Sequence, residues 1–276
     1  MALAKTIGET VLEELNCFAV SGSRPDPFTT ARLRREIDKL EKVEPMGALL
    51  CRGILFSIEG QANEAIGVFE EILSYVPDDP NMHQNYGHSL AKLKMTNLAH
   101  KHYIMAADNS TESTSALVDL AETAQVVFRP TDFITVLERN AHKADAEKLM
   151  ANADVQNSYT VSELFKELEI DEDDANKLST VAEGICIRYD LSIANGYFRR
   201  TSMYGSSKLT FYAGIEGDSD LICDLNIEFC DKLIDADIGH LLTDISYVFV
   251  PYQPADVDVL AQKESKMHKD HAHGHN

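Results

Sequence analysis

Residues Gly53 to Pro80 read GILFSIEGQANEAIGVFEEILSYVPDDP, and Gly87 to Thr111 read GHSLAKLKMTNLAHKHYIMAADNST. Laid over each other at one constant shift, the two stretches superimpose: Gly53 falls on Gly87, Phe56 on Leu90, Ala65 on Ala99, Phe69 on Tyr103 and Ile72 on Ala106. Glycine midway along a first helix lets a second helix approach closely, alanine answers it from that second helix, and the aromatic ring fills the gap between repeats. Pro77 and Pro80 follow the last apolar turn of the first copy, where a missing N–H and a fixed φ end one helix and start the next. The second copy lacks that proline, so its end is marked less sharply.

Outward from this pair the pattern weakens. A third, degenerate copy has Leu120, Ala121, Ala124, Phe133 and Leu137 in place, with phenylalanine where the packing alanine belongs. Upstream, Phe28, Leu33, Ile37 and Leu40 with Ala31 in register predict one capping helix, and Leu3, Ile7, Val11, Leu12 and Leu15 predict another. Glu9, Glu13 and Glu14 break any apolar run long enough for a signal or membrane span, so a cytoplasmic location is expected.

A 34-residue period with these residues in this order resembles the tetratricopeptide repeat family over residues 46 to 140, which implies stacked pairs of antiparallel helices that bind other proteins. In that family the ligand lies in a concave groove lined by the first helix of each pair. The register places Leu50, Cys51 and Ile54, then Gln84, Asn85, His88 and Lys92, then Asp119 along it. Members that grip a C-terminal carboxylate use Lys, Arg and Asn from neighbouring repeats. Here Asn85 matches, but Leu50, Ile54, Ser115 and Asp119 occupy the other places, so a carboxylate clamp is not expected. An apolar patch beside an amide-rich one suits a helical or extended peptide segment. The alternative is that the N-terminal helices cover Leu50 and Ile54 as core.

From about residue 152 the sequence changes. Ser158 to Glu169, with a capping box from Thr160 to Glu163, and Ala175 to Gly184 predict helices. Ile185, Ile187, Tyr189, Leu191 and Ile193 then alternate with polar residues and lead to Asn195-Gly196, which predicts a strand and a tight hairpin turn. Tyr197 to Met203, Lys208 to Ala213 and Leu221 to Phe229 predict three more strands of an antiparallel meander, with a helix over Asp231 to Leu242 and a closing strand from Ile245 to Tyr252. The expected fold is therefore an α+β chain of two domains. An N-terminal helix and linker (1–27) precede the helical repeat array (28–150). An acidic α+β domain (151–252) and a flexible His-rich tail (253–276) follow.

Residues 28–150 hold 13 basic and 18 acidic residues, a balance of −5, whereas 151–251 hold 7 and 19, a balance of −12. A net charge of −20 repels nucleic acid and anionic membranes and favours a basic protein partner, or serves solubility alone. Cys17, Cys51, Cys186, Cys223 and Cys230 form no C-x-x-C pair and leave one unpaired under any full pairing, so reduced thiols are expected.

The run DEDDAN at 171–176 lacks the glycine and terminal glutamate of a calcium loop and reads as a solvated helix N-terminus. Asp235, Asp237, His240 and Asp244, like His83, His88, His100 and His102, lack the spacing that specifies a metal or acid/base site. His268, His271, His273 and His275 in the tail are closely spaced imidazoles suited to adventitious Ni, Cu or Zn. No cofactor is expected, and no nucleophile elbow, P-loop, dinucleotide-binding glycine motif or H-E-x-x-H occurs.

The functional expectation is an adaptor or chaperone whose groove binds a segment of a partner protein, as in the small acidic tetratricopeptide chaperones of bacterial secretion systems that residues 1 to 150 resemble. Two other classes stay open. One is an antitoxin or immunity-type inhibitor that lays the acidic sheet domain against a basic partner. The other is an enzyme built on the C-terminal domain. The acidic domain is otherwise expected to bind a second partner or to complete a homodimer.

Overall fold

The structure is a computed structural model that describes residues 7–203 and 206–252. It divides into two compact units, the second beginning at Arg188. The first unit is a helical repeat array: α1 (Ile7–Ser21), α2 (Pro27–Leu40), α3 (Pro45–Glu59), α4 (Ala62–Tyr75), α5 (Pro80–Lys92), α6 (Thr96–Asn109), α7 (Thr114–Val126), α8 (Pro130–Asn140), the short α9 (Ala146–Ala151), α10 (Ala153–Glu167) and α11 (Glu172–Tyr189), whose last two residues enter the second unit.

Local sequence sets the helix starts. Asp26 and Asp79 each stand before a proline at the first helical position, and each carboxylate accepts two backbone N–H groups of its new helix: Phe28 and Thr29 at 2.8 and 3.1 Å, Asn81 and Met82 at 2.9 and 3.0 Å. The small-to-aromatic fit is the same in both good repeats. A Cβ on Gly53 would sit 2.8 Å from the ring of Phe69, and one on Gly87 would sit 2.5 Å from the ring of Tyr103. Ala65, Phe69, Ala99 and Tyr103 are all buried, as are Leu90 and Ala106, while Phe56 is half-buried. In the degenerate third pair Leu120, Ala121, Ala124, Phe133 and Leu137 are buried too, and the ring of Phe133 meets Tyr159 of α10 edge-on, 6.0 Å away.

The turns between paired helices repeat more faithfully than the sequence does. Gly60, Lys94 and Phe128 hold one register position in successive pairs, and all adopt left-handed backbone with φ of 78, 64 and 60°. The next residue's N–H reaches back in each case: Gln61 to Phe56 at 2.9 Å, Met95 to Leu90 at 2.9 Å, Arg129 to Ala124 at 2.8 Å. This is a Schellman closure. The same closure joins α10 to α11, with Glu169 at φ 52° and Ile170 bonded to Phe165 at 2.9 Å. The array thus continues past residue 150, and the second unit starts at 188 rather than 151. Sequence reading misses this because only Gly60 of the four is glycine. Left-handed backbone is strained for a side chain and free for glycine. Glu169→Gly is therefore expected to stabilise the protein by about 0.5–1 kcal/mol and Gly60→Ala to destabilise it by about 1–2 kcal/mol, opposite signs that chemical denaturation reads directly.

Helix α11 ties down its neighbours by capping them. The Glu183 carboxylate accepts from the N–H of Asn97 at 2.7 Å and from its side chain at 3.1 Å, at the start of α6, which has no side-chain cap of its own. Glu172 does the same for the N–H of Thr131 of α8 at 3.1 Å. Burial raises both carboxyls above the usual range, against the lowering effect of these bonds. The acidic run at 171–176 thus opens α11, with Asp171 accepting from the N–H of Asp174 at 2.9 Å. The expected capping box at Thr160 is not a helix start. Helix α10 begins earlier, at an Asn152 cap, and Thr160 bonds back to Gln156.

The second unit packs a helix on a three-stranded sheet in the order β1 (Ile193–Met203), β2 (Ser206–Ile215), β3 (Ile245–Pro251), with α12 (Ser219–Asp235) between β2 and β3. Strands β1 and β2 are antiparallel, but β2 and β3 are parallel, so the sheet is mixed and not a meander. Two expected strands are helical. Ile185 to Tyr189 ends α11, because Ala175, Leu178, Ala182, Ile185 and Cys186 form a buried stripe at helical spacing. Leu221 to Phe229 lies in α12, where Ile222, Leu225, Phe229 and Leu233 face the core and Asp218 caps the N–H of Leu221 at 2.9 Å. The helix expected over Asp231 to Leu242 stops at Asp235 and gives way to a 3-10 turn over Gly239–Thr243. Asn195-Gly196 is not a turn but part of β1, paired with Gly214 and Ala213. Gly196 is needed because a Cβ there would lie 2.4 Å from the ring of Phe211.

Candidate functional site

The repeat register places Val20, Ile54, His88 and Glu122 at one equivalent position of α1, α3, α5 and α7. All four line a single pocket of about 670 Å³ in the helical array, together with Asn16 and Ala19 of α1, Ser57, Asn85, Ser89, Ala91, Lys92, Tyr103 and Asp119. The groove is therefore a four-helix feature, with α1 standing as the first helix of a further pair. Extending the repeat shift one step upstream to Val20 and one downstream to Glu122 would have revealed both walls.

Of the expected groove residues, Ile54, Asn85, His88, Lys92 and Asp119 line the pocket. Leu50, Cys51 and Ile54 are only 9%, 2% and 6% exposed and join Val11 and Leu15 of α1 in the core. The covering of Leu50 and Ile54 by the N-terminal helices is thus the arrangement present, and burial also pushes the Cys51 thiol up to about 11. Gln84 lies outside the pocket wall but acts on it. Its amide donates to Asp119 Oδ2 at 2.7 Å and to Ser115 Oγ at 2.8 Å. His88 Nε2 lies 2.9 Å from the same Asp119 oxygen, whereas the Asn85 amide donates to the Asn81 carbonyl of its own helix at 2.8 Å. Asp119 is thus the hub that fixes two side chains of α5 against α7.

The two ends of the pocket differ in charge. On the α7 side, desolvation, reinforced by Asp154 and Asp119 and opposed by His88, raises the carboxyl of the rim residue Glu122. Burial likewise pushes the Tyr103 hydroxyl far up, with Asp119 and Glu122 adding to it. On the α1 side, burial, with Lys94 and Arg24 nearby, lowers the Lys92 ammonium, whose Nζ donates to the Ala19 carbonyl at 3.4 Å. The α7 end is thus acidic and the α1 end basic, over a floor of Ile54, Ala19 and Tyr103.

His83, His100 and His102 make structural contacts. His83 Nε2 lies 2.8 Å from the Pro77 carbonyl and must donate to it, so its Nδ1 accepts from His102 Nδ1 at 3.0 Å. His102 in turn lies tilted against Tyr86 with centroids 4.2 Å apart, and Tyr86 stacks on Phe69 at 4.7 Å. His100 is buried between Thr123 at 3.2 Å and Asp132 at 3.3 Å. Asp235, Asp237, His240 and Asp244 are strung along the end of α12 and the 3-10 turn. Among the described residues no group of three or more His, Cys, Asp or Glu side chains is arranged to hold a metal ion, and no helix is long and apolar enough to cross a membrane. His268, His271, His273 and His275 lie outside the described residues. The chain matches no protein-family model, no curated protein and no solved structure.

Proposed function

We propose that the helical array is a tetratricopeptide-type scaffold and that this protein is an adaptor or chaperone that holds a segment of a partner protein in the groove between α1, α3, α5 and α7. The observation that carries this reading is the pocket itself, built from one register position repeated four times, Val20, Ile54, His88 and Glu122. The glycine-to-ring contacts and left-handed turns that recur once per repeat support the family likeness. With Leu50 and Ile54 taken into the core, apolar contact comes from Val20, Ala19 and the edge of Ile54, Val20 being 90% exposed. Register is set by Asn85, His88 and the Asp119 hub through hydrogen bonds.

Substituting Asn85 and His88 by alanine removes two groove side chains that lie outside the buried core. Capture from lysate of the source cell by the full-length protein, read by mass spectrometry, is expected to lose at least ten-fold of the specific partner in the double variant while the variant stays folded by circular dichroism. Equal recovery by both proteins would sink the groove assignment.

A further inference from the structure

On α12, Cys223, Ile227, Cys230 and Ile234 recur at spacings of four, three and four residues. At ~100° per residue they fall within about 60° of arc and form one stripe about 17 Å long. All four are exposed, Ile227 by 56% and Ile234 by 73%, while the opposite side of the helix buries Ile222, Leu225, Phe229 and Leu233 against the sheet. A helix that already has a buried face has no packing reason within its own unit to carry a second apolar stripe. Along one flank runs a ridge of exposed carboxylates, Asp220, Asp224, Asp231 and Asp235. Only Asp235 has an ion-pair partner among the described residues, Lys232 at 3.8 Å. At the C-terminal end a pocket of about 370 Å³ opens between Asp231, Asp235, Glu228, Ile234, Lys232 and Arg188. There Glu228 is already bonded to Arg188 and to the Tyr189 hydroxyl and Asp235 is paired with Lys232, which leaves Asp231 to face an incoming charge.

From this juxtaposition we infer that the outer face of α12 docks an amphipathic helix of a partner protein, one with an apolar stripe flanked on one side by Lys or Arg. Charge selects this occupant. A second copy packed on the same face would bring two acidic ridges together, and an anionic lipid surface would meet the same repulsion. A basic ridge instead neutralises Asp220, Asp224 and Asp231 while its apolar stripe covers Ile227 and Ile234, and a long basic side chain enters the pocket at Asp231. The surface lies in the second unit and does not depend on the groove of the first.

Cys223 and Cys230 make the inference directly testable, because they lie inside the proposed contact and exposed Cys17 lies in the other unit. The full-length protein is alkylated with iodoacetamide in the presence of either of two synthetic 18-residue helical peptides with the same leucine stripe, one flanked by lysines and one by glutamates. Mass spectrometry then gives the rate at each cysteine. The lysine peptide is expected to slow Cys223 and Cys230 at least ten-fold and leave Cys17 unchanged, and the glutamate peptide to slow neither. Ile227→Ser with Ile234→Ser should abolish the protection, and Asp224→Lys with Asp231→Lys should transfer it to the glutamate peptide. Protection of Cys17 to the same extent, equal effects of both peptides, or indifference to both double variants would overturn the inference. So would protection that appears without peptide and rises with protein concentration, which would assign the face to a second copy of the chain.

Discussion

Replacing Phe69 by alanine is expected to cost about 3–5 kcal/mol, the range for deleting a fully buried ring, and to lower the array's unfolding midpoint accordingly. Phe69 is 0% exposed, stacks on Tyr86 and lies directly under Gly53. Gly53→Ala alone should cost about 1–3 kcal/mol, because its methyl would enter a site 2.8 Å from the ring and force ring or helix to shift. The decisive measurement is the double variant. Once the ring is gone, the three atoms nearest the added methyl go with it, so Gly53→Ala should cost much less in the Phe69→Ala background. The cycle should then show a coupling of at least about 1 kcal/mol in urea denaturation. Strict additivity would mean that the two residues do not meet and that the repeat is packed some other way. Gly87 with Tyr103 should behave alike, since the approach there is closer still.

The protein should lose stability between pH 6.5 and pH 4 through His102. Burial, with His83 and Lys101 nearby, lowers this imidazole to about 4 from an unfolded value of 6.5. The group is a base whose folded pKa is depressed, so the unfolded chain binds more protons between those two values. Stability from this source is therefore complete above pH 6.5, falls as pH drops toward 4, and changes no further below it. Since His102 is only half-buried, the expected loss after discounting for solvent is about 1–2 kcal/mol. Protonation leaves the Nδ1 bond to His83 in place. What it adds is a charge on a ring tilted against Tyr86 in a half-dry site. Urea denaturation at pH 7.5 and 4.5 isolates the effect as a difference between wild type and His102→Gln, because carboxylates such as Glu183 and Asp132 titrate in both. Identical pH dependence of the two proteins would show that His102 is not the group responsible.

How far each part could be read in advance follows from the range of the forces involved. The Gly53, Ala65, Phe69 set and its copy one repeat further on were legible because each records a short-range steric demand, one helix crossing another at contact distance. The helix start at Pro80 was legible for the same reason, as a local steric rule, whereas the Asp26 and Asp79 caps show in the structure. The left-handed closures at Lys94, Phe128 and Glu169 were not, because tertiary packing holds non-glycine residues in a conformation that local preference disfavours. In the second unit, short apolar runs misled. Leu221, Cys223, Leu225, Ile227 and Phe229 alternate as a strand would. Phe229 meets Tyr247 and Phe249, and Asn226 exchanges hydrogen bonds with the backbone of Phe249, at 2.9 and 3.0 Å, only when the segment is helical.

The groove divides in the same way. Its register position was written in the chain as Val20, Ile54, His88 and Glu122, since a repeat fixes which side of each helix faces inward. The sequence by itself also determined the repeat length, the residues that pack within each pair and the excess of negative charge. Only the tertiary structure decided that Leu50 and Ile54 are core beneath α1, that Asp119 gathers Gln84 and His88, and that α12 turns its second apolar stripe outward. Those outcomes depend on which surfaces meet across long stretches of chain, and burial and hydrogen-bond partners exist only once they have met.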